Sequence, residues 1–120
     1  MQTMDVLILE RDAMVAEVFA DALADGGIEA EIIGDDKDAV AACDPDAPQV
    51  VITRINRTQE DLRGKQIVQD MRNRCPRLAA IFMAAVRPAK LGVLGKRERF
   101  LAKPVSMARF VRTVRELLRA

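Results

Sequence analysis

Five short apolar runs, separated by segments of helical periodicity, constrain this chain more than any other feature. They are Val6-Leu7-Ile8-Leu9, a weaker one over Glu29–Ile33, Val50-Val51-Ile52-Thr53, Ala79-Ala80-Ile81-Phe82-Met83 and Arg99-Phe100-Leu101-Ala102. Each is about as long as a strand, rich in β-branched or aromatic residues and bounded by charge or turn residues, as strands buried on both faces are. Between the first two, Asp12 is placed to cap a helix in which Met14, Val15, Val18, Phe19, Ala22 and Leu23 recur at helical spacing, and Gly26-Gly27 stops it. A short alanine-rich helix follows Gly34-Asp35-Asp36 and runs to about Ala42, before the loop Asp44-Pro45-Asp46-Ala47-Pro48.

The second half repeats the alternation. A helix from about Arg63 to Arg74 carries Ile67, Val68 and Met71 on one stripe, and Pro76 marks its end. Gly92 and Gly95 leave only a short or broken fourth helix between Pro88 and Arg99. Ser106 caps a last helix with Phe110, Val111, Val114, Leu117 and Leu118 inward. Strands alternating with helices predict an α/β fold: a doubly wound, five-stranded parallel sheet of (βα)5 type with right-handed crossovers and helices on both faces. The 120 residues suit one domain spanning 1–120. Ligands in such sheets sit at the carboxyl ends of the strands, which makes Glu10, Arg11, Arg54, Ala84 and Lys103 the informative positions.

Composition narrows the chemistry. Histidine is absent, which removes the commonest general base and metal ligand and excludes Ser-His-Asp, Cys-His and zinc enzymes. Cys43 and Cys75 lack the spacing of a metal knuckle and read as free thiols. No apolar run approaches a membrane span, and the N-terminus through Asp5 lacks the layout of a signal peptide, so a cytoplasmic protein is expected. The net charge of +1 conceals a split: residues 1–50 hold 13 acidic residues against Arg11 and Lys37, and residues 51–120 hold 17 basic residues against 5 acidic ones. An acidic and a basic face on one domain favour oriented association or an anionic partner.

Four segments resemble the receiver domains of bacterial two-component response regulators, with their flavodoxin-like fold. They are Leu7-Ile8-Leu9-Glu10-Arg11-Asp12, Val50-Val51-Ile52-Thr53-Arg54-Ile55-Asn56, Ile81-Phe82-Met83-Ala84-Ala85 and Phe100-Leu101-Ala102-Lys103-Pro104. The resemblance implies an acidic pair for Mg²⁺ after the first strand, an acceptor aspartate after the third, a Ser or Thr after the fourth and a lysine after the fifth. Here Glu10 matches the first acid and Lys103 the lysine, but Arg11 stands at the second acid, Arg54 at the acceptor and Ala84 at the hydroxyl. The next carboxylates after the third strand are Glu60 and Asp61. Phe100 matches the family's switch aromatic.

An arginine cannot form an acyl phosphate, and guanidiniums beside Lys103 repel a divalent cation. The expected protein is therefore neither an enzyme nor a binder of a metal or cofactor. It is a receiver-like module in phosphorelay signalling that acts by phosphorylation-independent contact with a protein partner or a second copy. The expected face is made of the fourth helix, the fifth strand and the last helix, with Arg109, Arg112, Arg115 and Arg119. Arg54 is expected to pair with Glu10 or Asp12, and Lys103 either to pair with Glu10 or to contact an anion.

The alternative is a small-anion or nucleotide-phosphate pocket built from Arg11, Arg54 and Lys103, although no glycine-rich phosphate loop follows the first strand. The basic loop with Arg54, Arg57, Arg63 and Lys65 reads as solvated surface. Nucleic acid is disfavoured, since Tyr and Trp are absent and no DNA-binding motif is present.

Overall fold

The structure is a computed structural model that describes residues 5–55 and 63–118. Expectations resting on the N-terminus before Asp5, on Asn56, Arg57, Glu60 and Asp61, and on Arg119 lie outside the described residues.

The elements in chain order are β1 (Val6–Leu9), α1 (Ala13–Asp25), β2 (Ala30–Ile33), α2 (Asp36–Ala41), β3 (Val50–Arg54), α3 (Arg63–Arg72), β4 (Ala79–Ala84), a 3-10 turn (Ala89–Leu91), β5 (Glu98–Ala102) and α4 (Met107–Leu118). The strands form one parallel sheet in the order β2-β1-β3-β4-β5. This is the doubly wound parallel sheet that the alternation predicts, in the flavodoxin-like order that the receiver-domain resemblance implies. The chain reverses its direction of winding between β1 and β3, and the crevice at that point is where ligands bind in such sheets.

Side-chain alternation along the strands feeds two core layers, which is why the apolar runs are continuous. Val6, Ile8, Ile52, Ile81 and Leu101 point into one layer with Phe19 and Leu23 of α1 and Phe110, Val114 and Leu117 of α4. Leu7, Leu9, Val51, Ala80 and Phe82 point into the other with Ala39 of α2 and Ile67, Val68 and Met71 of α3.

Asp12 caps α1 as its sequence position implies, its carboxylate accepting the Met14 and Val15 N–H groups at 3.0 and 3.3 Å. Gly27, at φ +79°, closes that helix in a conformation that disfavours any side chain. Ser106 caps α4 through the Arg109 N–H at 3.1 Å.

Two details differ from the sequence reading. Met14 and Val18, expected inward, are 80% and 54% exposed. The apolar sector of α1 is wider than its contact with the sheet, and only Ala16, Phe19 and Leu23 are fully covered. The helix expected to reach Arg74 ends at Arg72, after which the Asn73 and Arg74 N–H groups donate to the Asp70 and Met71 carbonyls at 3.3 and 3.0 Å in turns three residues back rather than four. The fourth helix is short, as Gly92 and Gly95 imply: a single 3-10 turn ended by Gly92 at φ +72°.

Arg72 also ties α3 to β5, its Nη1 donating to Glu98 Oε2 at 2.9 Å while the Gly95 N–H donates to Oε1 at 2.9 Å. Burial works against the Glu98 charge, but the Gly95 N–H and Arg72 outweigh it and hold the carboxyl below its ordinary value. A depressed carboxyl contributes stability that is present above the ordinary value of 4.5 and is lost as pH falls through the folded value. Glu98→Gln is therefore expected to cost about 1–3 kcal/mol near neutral pH, since Glu98 is 16% exposed and its partners would be left short of an acceptor. The gap between the two proteins should close on acidification. Denaturation midpoints measured from pH 7 down to pH 3 check this, and a gap independent of pH would show that the carboxylate charge does not matter there.

Candidate functional site

Register decides which side chains meet at the carboxyl edge of the sheet. Leu9 is level with Thr53, Arg54 with Met83, and Ala84 with Ala102, so Glu10, Arg54, Ala84 and Lys103 form one row at the ends of β1, β3, β4 and β5. The backbone continues that row, with the Ile55 N–H donating to the Met83 carbonyl and the Lys103 N–H to the Ala84 carbonyl, each at 2.9 Å.

Within the row, Arg54 Nη2 donates to both oxygens of Glu10, at 2.8 and 2.9 Å. The Glu10 side chain is 9% exposed and that of Arg54 48%. Glu10 Oε2 also accepts the Asp12 N–H at 3.0 Å. The Glu10 carboxylate is thus occupied on both oxygens, and the Asp12 carboxylate is spent on capping α1. A lone charged pair of this kind, one partner exposed, is worth little stability. Its consequence is electrostatic, because a guanidinium sits where a cation would need an open carboxylate.

Lys103 makes no ion pair with Glu10, because Arg54 lies on that carboxylate; among the described residues its ammonium has no partner. Burial, then the charge of Arg54, lower its pKa, and Glu10 only partly opposes them. Glu10, Arg54 and Lys103 border a crevice of about 10 Å³, room for no more than one water.

Arg11 is exposed and faces a separate cleft of about 300 Å³ at the β1/β3 reversal, lined by Glu10, Arg11, Gly34, Asp36, Thr53, Arg54, Arg63 and Gly64. The three-residue basic pocket expected from the sequence is therefore divided, with Arg54 as its wall and Lys103 on the other side. Arg63, at the start of α3, is exposed and also lines this cleft.

Mg²⁺ does not fit these residues. It needs hard oxygen ligands, yet Glu10 is engaged by Arg54, and the described residues contain no group of three or more Asp, Glu, Cys or His side chains that could hold a metal ion. Ala84, 4% exposed, offers no hydroxyl. Phe100 is half-buried, packs on the α2/α3 core layer and lies level with Phe82 on the ladder.

Asp36, Gly34, Thr53 and Gly64 escaped the sequence reading. The polar ones sit at element ends that read as caps and strand termini, and Gly64 carries a signal only in retrospect, as a glycine within the first turn of a helix. Both thiols are buried, with Cys43 Sγ donating to the Ala39 carbonyl and Cys75 Sγ to the Pro48 carbonyl. Burial first, and then the neighbouring thiol, push Cys43 up to about 11, and burial also raises Cys75. Such thiols stay protonated and unreactive.

No protein-family model matches the sequence, and no curated protein does. Solved structures do match. The receiver domain of the sensor histidine kinase PA1611 from Pseudomonas aeruginosa PAO1, described with a magnesium ion coordinated in its active-site cleft, is 17% identical with a TM-score of 0.77 over 99% of this chain and 100% of that one. A CheY-like response-regulator receiver domain from Methanospirillum hungatei JF-1 is 16% identical with a TM-score of 0.79, over 98% and 95%. A structure described as one of a family of redox sensors in the streptococci, evolved from two-component response regulators, is 12% identical with a TM-score of 0.76, over 96% of this chain and 51% of that one. At such identities the likeness is one of architecture, and this chain has the fold of a response-regulator receiver domain.

Proposed function

We propose that this protein is a receiver-like signalling module of a two-component pathway that transmits its signal by protein contact and carries out no phosphoryl transfer. The observation that carries the reading is Arg54, seated at the end of β3 with both oxygens of Glu10 on its Nη2. A fixed guanidinium there does part of what a bound cation would do, neutralising the carboxylate without any ligand. The neighbouring redox-sensor family supports the idea that this scaffold serves signals other than phosphorylation. In this reading the protein is cytoplasmic and no enzyme; among the described residues no helix is long and apolar enough to cross a membrane. The partner docks on β5 and α4, where Arg109 and the Arg99–Glu116 pair are displayed.

The second reading, a small-anion site, has the Arg11, Arg54 and Arg63 side chains around the 300 Å³ cleft in its favour. Glu10 and Asp36 line the same cleft and Lys103 does not, which weakens it.

Incubation with Mg²⁺ and a small phosphodonor is expected to leave the intact mass unchanged. The same is expected of Arg54→Asp, because Arg11 remains beside the metal position, Ala84 still lacks a hydroxyl and the new carboxylate is drawn to Lys103. A base-labile phosphoryl mass on the parent would sink the proposal, and one on Arg54→Asp would show that Arg54 alone blocks the chemistry.

A further inference from the structure

We propose that the face made by α1 and α4 binds a second copy of this chain. Met14, Val18, Asp21 and Asp25 are all exposed and lie four, three and four residues apart, so they form one outward stripe of α1. Ala108, Arg112 and Arg115 are exposed at spacings of four and three and form the corresponding stripe of α4. The two helices are neighbours. Phe19 meets Phe110 with ring centroids 4.6 Å apart, and further along both helices Arg115 Nη2 donates to the Gly26 carbonyl at 2.6 Å. The contacts follow the same order on each helix, so α1 and α4 run parallel.

Each stripe therefore begins apolar and ends charged, with opposite signs: acidic on α1 and basic on α4. Met14 at 80% and Val18 at 54% exposure are apolar groups left in water. Among the described residues Asp21, Asp25 and Arg112 have no hydrogen-bond or ion-pair partner within the chain, and Arg115 has the Gly26 carbonyl.

A two-fold axis parallel to the helices lays α1 of one copy on α4 of the other at equal height. That operation sets Asp21 and Asp25 against the partner copy's Arg112 and Arg115, and Met14 and Val18 against the apolar start of its α4. The contact is isologous and closes as a dimer, so the α1–α4 pairing occurs twice. Apolar starts and complementary charged ends match each other on a single surface, which is why a second copy, and not an unrelated partner, is the occupant. This contact uses α1 with α4 rather than β5 with α4, so it goes beyond the protein-contact reading and does not depend on the loss of the phosphoacceptor: a monomer would overturn it and leave the mass measurement untouched.

Sedimentation of the full chain over a concentration series tests it. The parent should dimerise, and more weakly as salt is raised. Val18→Glu should weaken the dimer by about tenfold or more, as loss of a central contact does. Asp21→Arg, which sets a base against the partner copy's Arg112, and Arg112→Asp, which sets an acid against the partner copy's Asp21, should each be impaired alone and form a heterodimer when mixed. All three positions are exposed, and circular dichroism confirms that the variants stay folded. A parent that remains monomeric at its highest soluble concentration, a dimer indifferent to Val18→Glu, or a mixture that fails to recover association would overturn the proposal.

Discussion

Phe110→Ala is expected to remove about 3–5 kcal/mol of stability, the range for emptying a buried phenylalanine site. The ring is fully buried at the point where α4 crosses the sheet, and it faces Phe19 of α1 in a tilted pair. Its loss opens a cavity that the sheet below cannot collapse to fill, because β1, β3 and β4 are held on both sides by their ladders. It also deletes the aromatic contact joining α1 to α4, worth about 0.5–1.5 kcal/mol beyond area. For a domain with a total of about 5–15 kcal/mol, the variant should be largely unfolded at moderate denaturant. Phe110→Leu retains most of the volume and should cost clearly less. Urea midpoints for the two variants check this, and a loss below about 1 kcal/mol for the alanine protein would place the ring outside the packed core.

Gly64→Ala is expected to destabilise the protein by about 1–3 kcal/mol, the cost of overpacking a tight contact, although alanine is the better helix former by close to 1 kcal/mol. A Cβ at this position would stand 2.9 Å from the Arg54 carbonyl and 3.3 Å from Thr53 Oγ1. The carbonyl cannot retreat, since β3 is the middle strand and is paired on both edges. The start of α3 must move instead, and with it the wall of the 300 Å³ cleft. Gly95 provides the control, because a Cβ there meets nothing nearer than Glu98 Oε1 at 3.7 Å and Gly95→Ala should be close to neutral. Thermal melts of both variants decide it; a Gly64→Ala protein more stable than the parent would mean that helix propensity outweighs the contact.

The sequence by itself determined the architecture. Buried parallel strands must be continuously apolar and helices against them must be amphipathic, so the two periodicities identify the five strands and their order of alternation with helices. Caps were equally legible, because Asp12 and Ser106 act on N–H groups two or three residues away. The arginine at the end of β3 was legible too, since the strand run ends in Thr53-Arg54.

What only the tertiary structure decided is how charges at different strand ends share partners. Glu10 lies 44 positions from Arg54, and nothing local says that Arg54 rather than Lys103 takes its carboxylate. That choice follows from β1 and β3 being adjacent while β5 lies two strands further from β1. The same is true of Met14 and Val18. Helical periodicity marks them as apolar, but the width of the sheet contact determines which part of an apolar sector is covered, and here it leaves both in solvent beside the basic stripe of α4. Local rules act through neighbours in sequence, whereas partner choice and coverage are set by strand order and helix placement, which are properties of the whole fold.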